Sequence, residues 1–251
     1  MSGHSKWHSI RHKKGAVDAK RGKLFSKLTR AIIVAAREGG PDPNNNLALQ
    51  NAIEKARENS MPKDTIERAV ARGAGTDSDA EAYEQVTYEG YGPNGVAVLV
   101  EALTDNRNRT AADVRHIFAK NDGNLGTSGA VAWLFERNGV VLVPADSADE
   151  DEVMLAAADA GAEDVSVEGS SYQITSAPED IASVRQALEQ AGIQIESAEI
   201  TMLPKTTVRI EDEAAARKLL RLMEALEEND DVQDVYANFD IPEGVLEAVA
   251  A

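Results

Sequence analysis

The stretch YEGYGPNGVAVLVEALTDNRNRT (88–110) decides the fold class. It contains GYGPNG (90–95), a literal G-x-G-x-x-G. In a dinucleotide-binding loop that string opens a helix whose N-terminus holds a pyrophosphate. Here it opens VAVLVEAL, an apolar run rich in β-branched residues, and Pro93-Asn94-Gly95 is turn chemistry. The spacing therefore predicts two strands, VTYEGYG and GVAVLVEAL, joined as a hairpin, and argues against a nucleotide loop. A helix over about 110–121 is expected next, with Thr110 and Asp113 spaced as a variant capping box.

Working toward the C-terminus, the Gly-rich DGNLGTSG (122–129) leads to strands near 131–136 and 139–143. Then follow a helix near 149–160, strands around 164–168 and 171–175, a helix near 178–191, and strands around 195–203 and 206–210. A helix near 212–228 and a strand near 232–238 close the pattern. Residues 131–203 alone read ββαββαβ, close to a complete small α/β unit. The flanking ββα and βαβ would together complete a second.

Working toward the N-terminus, Val17, Leu24, Phe25, Leu28, Ile32 and Ala35 share one face of a helix from about Val17 to Arg37. Lys20, Lys23, Lys27, Arg30 and Arg37 share the other. GGPDPNNN (39–46) stops it and offers Asn caps to a helix over about 47–58. Pro62 in MPKD (61–64) is placed at the first helical position of a third, short helix ending near Gly73. The expected class is α+β, an N-terminal three-helix domain followed by two small α/β (ferredoxin-like) domains, one inserted in the other. The expected boundaries are 1–79 for the basic arm and helices, 80–130 plus 204–240 for the discontinuous domain, 131–203 for the insert, and 241–251 for a C-terminal tail.

Charge is split along the chain. The whole carries 26 Lys/Arg and 43 Asp/Glu, a net of −17, yet residues 1–75 carry 15 basic and seven acidic side chains. An asymmetry of this kind points to a polyanionic partner for the basic part, with the acidic part repelling the same partner. Lys6, Arg11, Lys13, Lys14, Lys20, Arg21, Lys23, Lys27 and Arg30 could neutralise several phosphates, each releasing counterions. Trp7 lies among them and could stack on an unpaired base or wedge into a groove. The plain alternative is that this arm folds back on the protein's own acidic surface. The third helix, PKDTIERAVARG, has mixed charge, so no helix-turn-helix is read there.

Other motifs carry two readings each. GNLGTSG (123–129) is a flexible connection or a backbone nest for a phosphate. His4, His8 and His12 would share a helical face that suits a metal, but Arg11, Lys13 and Lys14 oppose a cation there. His116 is read as a capped or partly buried ring. TDNRNRT (104–110) puts Arg107 and Arg109 on a loop ahead of the helix, for phosphate contact or for ion pairing with nearby carboxylates. The acidic run from Glu224 to Asp234 is read as a solvated helix face and turn, or more weakly as a divalent-ion site. There is no cysteine, no Ser-His-Asp set and no apolar run near the roughly 20 residues of a membrane span. These readings predict a cytoplasmic, non-enzymatic protein with no cofactor, no metal, no small-molecule substrate and no membrane partner.

Five longer motifs carry a resemblance: GHSKWHSIRHKKGAVDAKRGKLFSKLTR, MPKDTIERA, YEGYGPNGVAVLVEALTDNRNRTAADVRH, NLGTSGAVAWLFE and NDDVQDVYANFDIP. From residue 2 to about 247 the chain resembles the YebC/PmpR family, to which the mitochondrial translational activator of cytochrome c oxidase is related. The resemblance implies a helical N-terminal domain followed by two α/β domains, one inserted in the other. It implies a DNA-binding transcriptional regulator, or a ribosome-associated factor that contacts ribosomal RNA and helps translation past difficult sequences such as proline runs. Carried onto this chain, Lys6 to Arg30 would be the nucleic-acid contact, with Arg107, Arg109 and the loop Asn124–Ser128 as secondary candidates. His8-Ser9 departs from the family pattern, which often has Ala-Asn or a similar pair there and does not require a three-His face.

Overall fold

A computed structural model describes residues 19–75 and 83–250. Helix α1 (Ala19–Gly39) ends where Gly40 takes a positive φ of 87°. Helix α2 (Leu47–Glu58) starts at Asn46, whose Oδ1 accepts from Leu49 N at 3.1 Å while its Nδ2 donates to Ala35 O at 2.7 Å. Gly39 is required beside it, since a Cβ there would lie 2.5 Å from the Asn46 amide. In helix α3 (Lys63–Gly73), Pro62 is the cap and not the first helical residue, because its extended ψ of 139° precedes the first turn. The three helices bury Leu28, Ile32, Leu49, Ile53 and Ile66 in one apolar core.

The hairpin is as expected. Strand β1 (Glu84–Tyr91) pairs antiparallel with strand β2 (Ala97–Thr104), Glu89 opposite Leu99, across a tight turn with Asn94 and Gly95 at positive φ. Helix α4 spans Arg107–Lys120 and begins three residues before the expected 110. Asn106, not Thr110, caps it, accepting from Arg109 N at 3.1 Å. Arg107 and Arg109 are therefore in its first turn and not on a preceding loop. Strand β3 (Asn124–Leu125) then pairs with β1.

The two short strands expected near 131–136 and 139–143 are one strand, β4 (Phe135–Pro144), preceded by a 3-10 turn at Ala132–Leu134. Helix α5 (Glu150–Ala158), strands β5 (Ala162–Glu168) and β6 (Ser171–Ser176), helix α6 (Ile181–Gln190) and strand β7 (Ser197–Pro204) follow. These strands form an antiparallel sheet in the order β5-β6-β4-β7. Its inner face packs Val141, Val143 and Ile174 on Val153 of α5 and Val184 and Leu188 of α6.

The remaining elements are strand β8 (Val208–Arg209), helix α7 (Glu213–Glu227), strands β9 (Val232–Ala237) and β10 (Phe239–Asp240), and helix α8 (Glu243–Ala250). The segment expected as a tail is thus helical, and Val245, Leu246 and Val249 pack on the core of the first sheet. Strand β9 pairs antiparallel with β2, giving the order β3-β1-β2-β9. This sheet draws its strands from either side of the second in sequence. Both of its faces are covered, as the apolar run of β2, broken only by Glu101, requires. Val98 and Val100 meet Phe118 of α4 and Leu219, Leu222 and Leu226 of α7, while Leu99 and Tyr236 meet Val131 and Phe135. Among the described residues no helix is long and apolar enough to cross a membrane.

Gly90 lies where β1 crosses Phe118, and a Cβ there would sit 2.7 Å from Asn124 O and 2.8 Å from the Phe118 ring. Gly90→Ala is expected to destabilise by about 1–3 kcal/mol through overpacking, and Phe118→Ala by about 3–5 kcal/mol through the cavity it leaves. Denaturant melts of the two variants check both values.

Candidate nucleic-acid interface

Three cations of the α1 stripe are engaged by the rest of the protein, while Arg37 is exposed. Lys23 Nζ donates to Glu228 O at 3.1 Å, Lys27 Nζ to Glu227 O at 2.6 Å, and Arg30 Nη1 to Asp230 O. The first two oxygens belong to the C-terminal end of α7 and the third to the turn that follows it. A helix leaves its last carbonyls without intrahelical partners and carries partial negative charge there, which cations offset. Helix α7 has no basic residue in its own last turn. Helix α1 supplies the cations instead.

Arg30 also reaches a buried carboxylate. Its Nη1 lies 3.1 Å from Asp231 Oδ1, and Tyr83 lies under the guanidinium at 5.5 Å. The second oxygen of Asp231 accepts from Arg109 Nη2 at 2.8 Å and from Thr110 Oγ1 at 2.7 Å. Thr110, wholly buried, also bonds Thr104 Oγ1 at 2.7 Å, and Thr104 accepts from Asn106 N at 2.8 Å. Arg109 is held in turn by Asp105 at 2.6 Å. Burial alone would raise the Asp231 pKa. The hydrogen bonds from Arg109 and Thr110, with the charges of Arg109 and Arg30, outweigh it and hold the carboxyl below its ordinary range.

The acidic run read as a solvated face therefore contains one buried acid, Asp231, which is only 5% exposed and joins α1, α4 and the turn before β9. Of the cations expected to meet phosphate, Lys23, Lys27 and Arg30 lie against α7. Arg109 lies on Asp231, and Arg107 is 3.6 Å from Glu84 at the surface. Lys20 and Arg21 fall in the first turn of α1. Lys6, Trp7, Arg11, Lys13, Lys14 and the three histidines of the arm lie outside the described residues. His116 is exposed on α4, against the expectation of partial burial. Among the described residues no cluster of His, Asp and Glu could hold a metal.

An anion seat does form, at the last glycine of the Gly-rich loop and the residues just after it, but the protein fills it. Glu89 accepts from Gly129 N at 2.6 Å and from Val131 N and Ala132 N at 2.7 Å each. Burial opposes the charge of Glu89, yet the three N–H groups prevail and lower its pKa. Beside this seat, Tyr91 Oη and Trp133 Nε1 both donate to Ala130 O, at 3.1 and 3.2 Å, which leaves the Trp133 ring 67% exposed. Sequence reasoning singled out none of Asp231, Glu89, Tyr83 and Trp133. The available sign was alternation, which puts Glu89 on the face of β1 opposite Leu99, in the middle of an apolar pairing.

A small helical unit with a basic stripe, clasped by polar groups to a mainly antiparallel α+β body, makes this an α+β protein of several small units. Residues 5–76 match the TACO1/YebC protein N-terminal domain, and residues 83–239 match the TACO1/YebC second and third domain. Proteins called "Probable transcriptional regulatory protein" are similar over their whole length. One from Rubrobacter xylanophilus is 61% identical, covering 100% of each chain, and one from Persephonella marina is 55% identical, covering 100% of each. The crystal structure of a conserved hypothetical protein from Aquifex aeolicus is 53% identical, with a TM-score of 0.80 over 91% of this chain and 93% of that one. The chain belongs to the TACO1/YebC family, and the relatives it matches are named as probable transcriptional regulatory proteins, not as enzymes.

Two outcomes follow from the buried carboxylates. The folded pKa of Asp231 lies below the unfolded value, so its contribution is complete above about pH 4 and is lost as pH falls through the folded value. Asp231→Asn should flatten the acid limb of stability measured by denaturation against pH. Removing the Glu89 acceptor leaves the buried Val131 N–H unpaired and the part-buried Gly129 and Ala132 N–H groups to solvent. Glu89→Ala should therefore cost about 1–3 kcal/mol and reduce amide-exchange protection most at Val131.

Proposed function

We propose that the protein is a cytoplasmic nucleic-acid-binding regulator of gene expression, working as a DNA-binding transcriptional regulator of the YebC/PmpR type. The observation that carries this reading is the charge of residues 1–30, nine Lys/Arg against the single acid Asp18, attached to an acidic remainder. Lys6, Arg11, Lys13, Lys14, Lys20 and Arg21 grip phosphates, Trp7 adds a flat stacking surface, and Lys23, Lys27 and Arg30 extend the track. Arg107 and Arg109 are secondary contacts. The acidic body repels the polyanion and so fixes which face it meets. We read that body as two ferredoxin-like domains, residues 131–203 inserted into 80–130 plus 204–240, behind a helical domain of residues 1–79. Transcription is supported by the relatives, which are called probable transcriptional regulatory proteins.

A second reading, contact with ribosomal RNA on the ribosome, is favoured by α3. In a helix-turn-helix this position would present cations to a groove. Here Lys63 lies 3.6 Å from Glu67, and Arg68 turns back to Asp64 O at 3.0 Å. An arm of cations around a tryptophan suits irregular RNA better than a regular groove.

The deciding experiment binds labelled protein to purified ribosomes at physiological salt and challenges it with excess random duplex DNA, beside a variant lacking residues 1–15. Under the transcriptional reading duplex DNA strips the protein from ribosomes. Under the ribosomal reading binding survives the challenge. In both, the truncation abolishes binding. Each phosphate-contacting lysine replaced by alanine should lower the slope of log affinity against log salt by roughly one.

A further inference from the structure

Resting on the nucleic-acid reading above, we infer that the contact of α1 with the end of α7 is an autoinhibitory clasp. Residues 227–231 occupy the phosphate-binding face of α1, and a nucleic acid gains that face by displacing them.

Four observations converge on this. Three cations of the phosphate track already have acceptors, Glu227 O, Glu228 O and Asp230 O. The acceptor set resembles a phosphate backbone in charge, with two carbonyl oxygens at the negative end of a helix, a third in the turn after it, and two carboxylates beside them. Asp230 lies 4.0 Å from Lys23 and Asp231 lies 3.1 Å from Arg30. The buried apolar cores also do not merge across the seam, since the core of the helical unit shares no residue with the cores of either sheet. The other ion pair across it, Lys55 with Asp234 at 3.6 Å, joins side chains 51% and 38% exposed. Exposed contacts of this kind are worth about 0–1 kcal/mol each and weaken in salt, so a polyanion can replace them where an apolar seam would hold.

The fourth observation is that opening strands no buried charge. When Arg30 leaves, Asp231 keeps Arg109 at 2.8 Å and Thr110 at 2.7 Å. The carboxylate stays paired within the body, and only its outer contact changes.

The chain has no cysteine, so spin labels at Glu58→Cys and Glu213→Cys report the separation of α2 from α7 in the full chain without background. Pulsed electron resonance should give one distance for the free protein and a longer one with saturating short single-stranded RNA or duplex DNA. Asp230→Lys, at an exposed site outside the Thr110–Asp231–Arg109 network, should shift the free protein toward the longer distance. It should also tighten binding about three- to tenfold at low salt. Glu189→Lys makes the same charge change on α6, far along the chain, and should do neither. Binding with an unchanged distance, and equal effects of the two lysines, would overturn the clasp while leaving the nucleic-acid reading intact. Failure of every form to bind either nucleic acid would overturn that reading, and the clasp with it.

Discussion

The charge on Asp231 has to be balanced, and much of the structure is arranged to balance it. A carboxylate this deeply enclosed persists only with strong partners, and the nearest are Arg109 and Thr110 from α4 and Arg30 from α1, with Thr104 of β2 at 3.4 Å. Helix α4 is fixed at its first turn by Asn106, and Thr104 at the end of β2 holds Asn106 through its backbone N–H. One acid thus sets the start of α4, the end of β2 and the seat of the helical unit together. Its neighbours in sequence finish the arrangement by offering the carbonyls of α7 to Lys23 and Lys27.

Glu89 plays the corresponding part on the other side of the first sheet. Its three backbone donors fix the chain from Gly129 to Ala132, where it leaves the first sheet for the second. The path of β4 follows from that anchor, since Phe135 and Val131 are pressed onto Leu99 and Tyr236. Loops are commonly held by turn residues alone. This one is held by a carboxylate in place of an external anion, which gives the junction between the two sheets a defined direction.

Periodicity made most elements legible. The hairpin, the three N-terminal helices and the alternation of strands and helices after Phe135 follow from patterns of period 2 and 3.6. Where the reading failed, a local preference had two outlets. Asn138-Gly139 resembles a turn, and it suggested a break in what is a single strand. Gly139 is small for a different reason, because a Cβ would sit 2.6 Å from Ser176 Oγ and 2.8 Å from Ile181 Cβ. Thr110 resembles a cap, but its hydroxyl serves Asp231, and the cap falls to Asn106. Of the site, the basic stripe was legible as charge on one helical face. Its partner was not, because an acid that pairs across some 200 residues looks the same as its many solvated neighbours in a chain with 43 of them.

Helix α7 ends without cations of its own, and this carries a consequence for biosynthesis. A ribosome delivers Lys23 and Lys27 long before the oxygens they serve, Glu228 O and Glu227 O, 205 and 200 residues later. Strand β2 waits similarly for β9, whose Ala237 pairs with Val98. The second sheet needs no strand from outside residues 135–204 and can form while the first still lacks its outer strand. The helical unit meanwhile has its own core and an uncovered basic face. On a growing chain that face is open to any polyanion nearby, and it closes only when the last tenth of the protein has emerged.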